Sequence, residues 1–206
     1  MTIEAQLANQ QRTEDWHRAR LGKVTASRIC DVTATIKTGE ATGRRNYRAE
    51  KVLERLSDIP QENGYRSGAM IYGTENEERA LLGYSFKIGA DVDPISFVDH
   101  PSIANAGASP DGLVGDDGLV ECKCPEASGY LDALLGKDIP TKYLQQMQWQ
   151  MACTGRRWCD YVVWRDGLDP VIQRVMRDDK KIAELEAEVR TFLAEVDDIL
   201  ETLARK

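Results

Sequence analysis

The order of local sequence patterns predicts an α/β fold in which a central mixed sheet is flanked by helices. Helical spacing of apolar residues dominates residues 1–90, and a long amphipathic helix is predicted over residues 178–203. Between these regions, short apolar runs bounded by turn residues indicate two groups of strands. We therefore expect a single domain over 1–206, with a helical part (about 1–90), a sheet core (about 91–177) and a C-terminal helix (about 178–204).

Helical signals in the N-terminal part define three segments. Thr25 and Ser27 offer hydroxyl groups that can cap a helix starting there. Apolar spacing predicts a second helix over 45–56 and a third over 73–89. The third has an acidic first turn, which suits the positive end of a helix dipole; its acidic residues are Glu75, Glu77 and Glu78. The turn-rich stretch 59–68 is expected to be a loop.

Strand signals begin near Asp91. One short strand is expected around Ile95–Val98, and residues 103–125 have the pattern of two strands joined by a hairpin at Gly115–Gly118. The remaining predicted elements are helices over 130–135 and 142–153, and strands over 158–165 and 169–177. The final helix places its apolar residues on one face: Ile182, Leu185, Val189, Phe192, Leu193, Val196, Ile199, Leu200 and Leu203.

Composition predicts a cytoplasmic protein with reduced thiols. No run of about 18 apolar residues occurs, and the polar N-terminus lacks the apolar segment of a secretory signal. The five cysteines are an odd number without a C-x-x-C pair, which favours buried thiols over disulfides or an iron–sulfur cluster. Cys122 and Cys124 alternate along the chain with Glu121 and Lys123, so the thiols are expected to point away from those side chains.

Charge is unevenly distributed along the chain. A net charge of -7 by itself argues against nucleic-acid binding, which needs clustered Lys and Arg. Residues 1–70, however, carry 12 basic and 9 acidic residues, whereas 178–206 carry 5 basic and 9 acidic ones. Basic groups lie at 18–28 and at 44–55, although each alone is more typical of a solvated helix face. The distribution leaves DNA binding open, and a metal-dependent nuclease also needs acidic residues for its metal.

The most informative stretch runs from Ser109 to Lys123. Glu121 and Lys123 are two residues apart on a predicted strand, so their side chains project from the same face. Asp111 lies at a turn before the hairpin, which can bring it beside Glu121. Two carboxylates and a lysine suit phosphodiester hydrolysis, because carboxylates bind Mg²⁺, the metal activates water and the lysine stabilises developing charge. A surface ion pair between Glu121 and Lys123 is the alternative explanation.

Other polar residues are candidates for the same site. Gln146 and Gln150 are four apart on a predicted helix and share a face, with Tyr143 on a neighbouring position. Amides on that face could hold a metal-bound water or a phosphate oxygen, and Glu77 could supply another carboxylate. Each of these residues is also explained by an exposed polar helix face.

A second candidate site lies near the N-terminus. Arg20, Thr25 and Ser27 combine a guanidinium, two hydroxyl groups and the amides at a helix start. These are the groups that bind a terminal phosphate in proteins. The sequence therefore suggests an end-binding pocket separate from the carboxylates.

Five short motifs lie in order along the chain, at Arg20–Ser27, Gly73–Glu77, Ser109–Leu113, Glu121–Pro125 and Tyr143–Gln148. In this order and spacing the chain resembles, over about Trp16 to Trp164, the phage lambda exonuclease family, the viral-recombinase type of alkaline exonuclease. Each motif is weak alone, and the ordered set is specific. Residues 37–67 carry no motif that aligns with the family, so their basic residues remain unassigned.

The resemblance implies a nuclease domain with a restriction-endonuclease-like core and a Mg²⁺ cofactor, with Mn²⁺ as an alternative metal. Asp111, Glu121 and the main-chain carbonyl of Cys122 would bind the metal, and Lys123 would be the catalytic lysine. Glu77 matches an additional acidic residue of the family and Gln146 a helix glutamine, and both are assigned to the catalytic set by this resemblance.

The resemblance also implies a substrate and partners. Arg20, Ser27 and Ser109 match residues that contact a 5′ phosphate, and Thr25 and Tyr143 join them as candidate DNA-binding residues. The implied activity is 5′-to-3′ degradation of one strand of linear double-stranded DNA. Family members form a homotrimeric ring around DNA and act with a single-strand annealing protein in phage recombination, which would place this protein in a bacterial host cell.

Two other functions are compatible with parts of the sequence. An endonuclease, or a nuclease module of a larger repair machine, would use the same catalytic residues but would have no use for a pocket around Arg20 and Ser27. A binding protein without catalysis, with the acidic C-terminal helix as its interaction surface, would not need the intact set of Asp111, Glu121 and Lys123. The end pocket and the complete set therefore favour an exonuclease.

Overall fold

The computed structural model describes residues 11, 13–61 and 67–206, and its helices and strands follow the predicted order. The helices are α1 (Glu14–Arg20), α2 (Ile29–Val32), α3 (Thr42–Ser57), α4 (Gly68–Ile88), α5 (Ala127–Leu134), α6 (Thr141–Thr154) and α7 (Asp179–Ala204). The strands are β1 (Val24–Thr25), β2 (Val92–Asp93), β3 (Val98–Asp99), β4 (Ala106–Ala108), β5 (Gly112–Val114), β6 (Gly118–Lys123), β7 (Trp158–Val163) and β8 (Val171–Met176). A short 3-10 turn, Ala26–Arg28, joins β1 to α2.

The main sheet has five strands in the order β2-β5-β6-β7-β8. Strands β6 and β7 are parallel, and the other three pairs are antiparallel. A smaller sheet has the order β1-β4-β3, in which β1 is parallel and β3 antiparallel to β4. Both sheets are mixed, which confirms the predicted sheet type.

Helices cover both faces of the main sheet, as the side chains of β6 show. Leu119 packs in one cluster with Met147 and Met151 of α6. Val120 faces the opposite side and packs with Tyr84 of α4. Because successive strand residues alternate between faces, one strand contributes to two separate cores. The α/β prediction is therefore confirmed.

The long C-terminal helix packs on the N-terminal helices. The predicted apolar stripe of α7 is buried at Val189, Phe192 and Val196, and the Phe192 ring stacks on Tyr47 of α3 at 5.5 Å between centroids. Burial of a side chain as large as Phe192 contributes roughly 1.5–3 kcal/mol to folding. Among the described residues, no helix combines the length and apolar character that a membrane span requires.

Ion pairs between α3 and α7 account for much of the basic group at 44–55. Arg44 donates two hydrogen bonds to Glu195, at 2.7 and 2.8 Å, and Arg48 donates to the same carboxylate at 2.6 Å. Arg55 pairs with Asp197 at 2.8 Å. These basic residues therefore pair with two acidic residues of the C-terminal helix, and the polarised charge of the sequence is partly cancelled within the fold.

The start of α4 differs from the prediction. The helix begins at Gly68, where the Ser67 side chain accepts a hydrogen bond from the Met70 amide at 3.2 Å. Glu75, Glu77 and Glu78 therefore lie beyond the first turn, and their assignment to the positive end of the helix dipole was wrong. Of the predicted loop over 59–68, residues 62–66 lie outside the described part of the chain.

Three smaller predictions were also wrong. The strand expected around Ile95–Val98 is replaced by the two-residue strands β2 and β3, and Pro94 lies between them without an N–H group for a ladder. Residues 103–125 form three strands, because Pro110 separates β4 from β5. Thr25 precedes the 3-10 turn without a side-chain capping bond, so its hydroxyl group does not serve as a helix cap.

Candidate active site

The β5–β6 hairpin brings Asp111 to Glu121 and Lys123. The hairpin register pairs Gly112 with Val120, so Asp111, which directly precedes β5, lies beside Glu121. Asp111 Oδ2 accepts a hydrogen bond from the Cys122 amide at 2.7 Å. The predicted proximity of the two carboxylates is therefore present in the fold.

Glycines make this hairpin possible. Gly115 adopts a φ of +53°, a left-handed conformation that most side chains disfavour. At Gly118, a Cβ atom would lie 2.1 Å from the Trp158 ring, so only glycine allows β6 to pass this tryptophan. Local turn residues thus set the register that positions the carboxylates.

Glu121 is buried, and three donors hold its carboxylate. The residue is 1% exposed. Its Oε1 accepts from Lys123 Nζ and from Gln146 Nε2, the latter at 2.7 Å, and its Oε2 accepts from Gln150 Nε2 at 2.6 Å. A buried carboxylate without such partners would be strongly unfavourable. The glutamines of α6 therefore bind the carboxylate, and neither lies on the exposed polar face that was the alternative explanation.

The charges in this site strongly influence one another. Burial, and next the negative charge of Glu121, raise the pKa of Asp111 well above its usual range. Burial alone would lower the pKa of Lys123, but the charges of Glu121 and Asp111 outweigh it and raise this pKa. Lys123 is therefore an ammonium ion at neutral pH, beside two carboxyl groups that repel each other. A cation placed between these carboxyl groups would relieve the repulsion.

Glu77 lies in the middle of α4, on the sheet face opposite α6. Its negative charge contributes to the raised pKa of Asp111 and to the raised pKa of Cys124, which is about 11 and arises mainly from burial. The structure thus brings Glu77 into the electrostatic surroundings of Asp111, although the two side chains are on different elements. Its role as a third acidic residue stays a prediction.

Arg20, Thr25 and Ser27 line one cavity of about 630 Å³, together with Arg28. Arg20 places its guanidinium 4.0 Å from the centre of the Trp16 ring. This pocket brings together the predicted residues for a terminal phosphate. Its lining is mixed in charge, because Glu50 and Glu54 also line it and pair with its basic residues Arg28 and Lys51.

Ser109 links the cavity to the carboxylates rather than lining it. Its Oγ accepts a hydrogen bond from Trp16 Nε1 at 2.9 Å, and Trp16 in turn supports Arg20. Ser109 is also two residues before Asp111 in the chain. The end pocket and the carboxylates are therefore connected through a short covalent and hydrogen-bonded path.

Tyr143 is not part of the pocket around Arg20. It lines a different cavity, of about 270 Å³, which also includes Lys123 and Tyr161. The Tyr143 ring stacks on Tyr161 at 5.6 Å, and Lys123 Nζ lies 5.1 Å from the ring centre. The structure thus separates Tyr143 from the other candidate DNA-binding residues and places it beside Lys123.

The five cysteines are unpaired thiols, as predicted. Cys122 packs in the apolar cluster on the α4 side of the sheet, opposite Glu121 and Lys123. Within the described ranges, no three side chains of His, Cys, Asp or Glu converge in a way that could hold a metal by themselves. Any divalent ion would therefore need main-chain, water or substrate ligands in addition to Asp111 and Glu121.

The structure gives Gln150 a definite partner and adds one residue that the sequence did not reveal. Gln150 was considered with Gln146 for holding a metal-bound water or a phosphate oxygen, and in the structure both amides contact Glu121. Trp16 connects Arg20 to Ser109, and its position four residues before Arg20 on a helix would place the two side chains together.

Residues 15–157 match the family model of the YqaJ-like viral recombinase domain. Two crystal structures of LHK-Exo, an alkaline exonuclease from Laribacter hongkongensis, are 45% identical to this chain, with TM-scores of 0.87 (in complex with dAMP) and 0.85. Each match covers 94% of this chain and 97% of that chain. A phage-related exonuclease from Haemophilus somnus 129PT, 14% identical, shares the fold with a TM-score of 0.65, over 88% of this chain and 96% of that one. No curated protein matches the chain. The resemblance seen in the sequence and the restriction-endonuclease-like fold are confirmed.

Proposed function

The chain belongs to the YqaJ-like viral recombinase domain family, and from this premise we propose that it is a Mg²⁺-dependent 5′-to-3′ exonuclease. Its substrate would be linear double-stranded DNA, of which it degrades one strand from a 5′-phosphorylated end. The observation that carries the proposal is the convergence of Asp111, Glu121 and Lys123 at the β5–β6 hairpin. LHK-Exo, 45% identical, is an alkaline exonuclease, which supports the same activity here.

The residues at the hairpin fit a Mg²⁺ ion. Mg²⁺ is usually bound through one or two carboxylates, with waters and substrate phosphate completing its shell. Asp111 and Glu121 supply two carboxylates whose mutual repulsion already favours a cation, and the Cys122 carbonyl is the further candidate ligand. The bound metal would make water more acidic and polarise the phosphate. The small number of protein ligands agrees with a metal that shares its coordination with the substrate.

Lys123 would act as a fixed positive charge. In the metal-free protein, the charges of Glu121 and Asp111 outweigh the effect of burial and raise the pKa of Lys123. Its ammonium group would orient the attacking water or stabilise the negative charge that develops on the phosphate oxygens. In the reaction, a water oxygen bonds to phosphorus, the P–O3′ bond breaks, and the departing O3′ takes up a proton. Gln146 would assist by holding Glu121 in place.

The end pocket explains repeated cleavage of one strand. Cleavage of the P–O3′ bond leaves the phosphate on the shortened strand, so each cycle regenerates a 5′-phosphorylated end. Arg20, Thr25 and Ser27 line a cavity that suits such a phosphate, with Ser109 held nearby by Trp16. An endonuclease would not need this pocket, which favours an exonuclease. Glu77 would add negative charge near the metal, and Tyr143 would contact DNA beside Lys123.

A strand-specific assay tests this proposal. A linear duplex carries a 5′ phosphate on one strand only, and each strand is labelled separately at its 3′ end. In Mg²⁺, the phosphorylated strand should shorten progressively from its 5′ end while the other strand stays intact. EDTA should abolish the reaction, and Mg²⁺ or Mn²⁺ should restore it. Internal cuts in both strands would contradict the exonuclease assignment, and absence of cleavage in both metals would contradict the nuclease proposal.

Family membership also supports a wider biological setting. We infer that residues 1–206 act as a single nuclease domain, and that three copies form a ring around DNA. The single strand left by the nuclease would be the substrate of a single-strand annealing protein in phage-type recombination within the bacterial cytoplasm. Sedimentation of the protein with and without DNA would test the trimer, and co-purification with the annealing protein would test the partnership.

A further inference from the structure

Gln150 is a buried amide whose hydrogen bonds satisfy only one of its two ends. It lies on α6 and is fully buried, and its Nε2 donates to Glu121 Oε2 at 2.6 Å. Its Oε1 is also buried and has no hydrogen-bond partner within the part of the chain that the structure describes. An ionised carboxylate can only accept, so the amide must turn its nitrogen toward Glu121. The Gln150 amide therefore keeps its hydrogen bond to Glu121, while its buried oxygen has no donor among the described residues.

The donors around Glu121 are divided unequally between its two oxygens. Oε1 accepts from both Lys123 and Gln146, whereas among the described residues Oε2 accepts from Gln150 alone. A carboxylate has about four lone-pair sites, two on each oxygen. Oε1 is therefore fully used, and Oε2 keeps one acceptor position. Of the two oxygens, Oε2 is the one that can still bind a cation.

We propose that Gln150 is a positioning residue for metal binding, which holds Glu121 so that Oε2 is presented to the divalent ion. This inference rests on the proposed metal-dependent function. A hydrogen-bonded partner fixes the orientation of a ligating carboxylate, and loss of such a partner typically weakens metal binding 10- to 100-fold. Gln150 donates the hydrogen bond to Oε2, whereas Gln146 and Lys123 both donate to Oε1. The two glutamines should therefore contribute unequally to metal affinity.

Helix α6 also provides a matched control. Gln148 is buried on the same helix, but its Nε2 donates to the Met176 carbonyl at 2.8 Å and its Oε1 accepts from the Asp178 amide at 2.9 Å. Replacing Gln148 by methionine removes a buried amide of equal size without touching Glu121. Any loss that comes from general disturbance of α6 should appear in this variant too.

Direct binding of Mn²⁺, measured by the electron paramagnetic resonance signal of the unbound ion, tests the inference without DNA or turnover. The proteins are the wild type, Gln150→Met, Gln146→Met and Gln148→Met. Gln150→Met should raise the dissociation constant about 10- to 100-fold, Gln146→Met should raise it less, and Gln148→Met should leave it nearly unchanged. Circular dichroism in EDTA checks that each variant is folded.

The outcomes separate this inference from the proposed function. Wild-type affinity in Gln150→Met, an equal loss in Gln148→Met, or a larger loss in Gln146→Met would overturn the role of Gln150 while leaving the metal-dependent nuclease intact. Failure of the wild type to bind Mn²⁺ would overturn the metal dependence itself, and the inference with it. If Gln150→Met does not fold, Gln150→Asn, which keeps the amide one methylene further from Glu121, should show the same loss.

Discussion

Replacing Asp111 by asparagine should stabilise the metal-free protein while abolishing its nuclease activity. Burial, and next the charge of Glu121, raise the pKa of Asp111, so the ionised group opposes folding when no cation is present. Asparagine removes that charge and can still accept the hydrogen bond from the Cys122 amide. Lys123 already offsets part of the repulsion, so the gain should be moderate. Single stabilising substitutions commonly add about 0.5–2 kcal/mol to the free energy of unfolding, and we expect a gain in this range.

This gain corresponds to a melting temperature about 1–8 °C higher, since about 1 kcal/mol shifts a domain of this size by roughly 2–4 °C. The assay is thermal unfolding followed by circular dichroism, in EDTA and in Mg²⁺. A ligand at 100 times its dissociation constant stabilises by about 2.7 kcal/mol. Saturating Mg²⁺ should therefore raise the stability of the wild type above that of Asp111→Asn, which has lost a ligand. A lower melting temperature for Asp111→Asn in EDTA would refute the argument.

The pH dependence of the same pair provides a second check. A carboxyl group whose pKa is raised in the folded state binds its proton more tightly there than in the unfolded chain. Its contribution to stability is therefore fully present below the unfolded pKa of about 3.9 and is lost as the pH rises through the folded pKa. The advantage of Asp111→Asn in EDTA should grow from acid to neutral pH. Carboxylates far from Asp111 titrate alike in both proteins and cancel in the difference.

Three further variants test separate parts of the molecule. Lys123→Ala should reduce cleavage at least about 100-fold but leave duplex binding in a gel-shift assay largely intact; retained turnover would remove the lysine from the mechanism. Arg20→Ala should reduce the preference in kcat/KM for 5′-phosphate over 5′-hydroxyl ends by about 10- to 150-fold, equivalent to one charge-assisted hydrogen bond; Arg18→Ala, on the exposed side of α1, is the control. Glu195→Gln should lower the melting temperature at pH 7 by about 2–4 °C without changing nuclease activity. The hydrogen bond from Arg44 holds the pKa of Glu195 below its usual range, so this difference should disappear as the pH falls through that pKa.

The hairpin and the proximity of Asp111, Glu121 and Lys123 were predictable because both depend on neighbours in the sequence. Alternation along a strand determines that Glu121 and Lys123 share a face, and the turn residues Gly115 and Gly118 determine the register that adds Asp111. The long apolar stripe of α7 was equally visible, because it repeats over many helical turns. In each case the side chains repeat along the chain with the period of a strand, two residues, or of a helix, 3.6 residues, and this period predicts which side chains share a face.

Features that depend on distant partners could not be predicted. The pairing of Arg44 with Glu195 joins residues 151 positions apart, and no local pattern distinguishes it from an exposed basic residue. The role of Gln146 and Gln150 depends on α6 packing on the face of β6 that carries Glu121. Ser67 caps α4 ahead of a weak helical pattern, so the helix start was placed five residues too late.

The candidate active site is a polar interruption within an apolar interface between β6 and α6. This face of β6 carries the apolar Leu119 and then the charged Glu121 and Lys123. The facing helix α6 carries Gln146 and Gln150, which contact Glu121, beside the apolar Met147 and Met151. The same close packing that excludes water from the methionines also excludes it from Glu121. Its carboxylate therefore cannot exchange its amide donors for solvent, and its orientation is fixed within the folded chain. In the proposed exonuclease, such preorganisation would lower the reorganisation needed at each cleavage step.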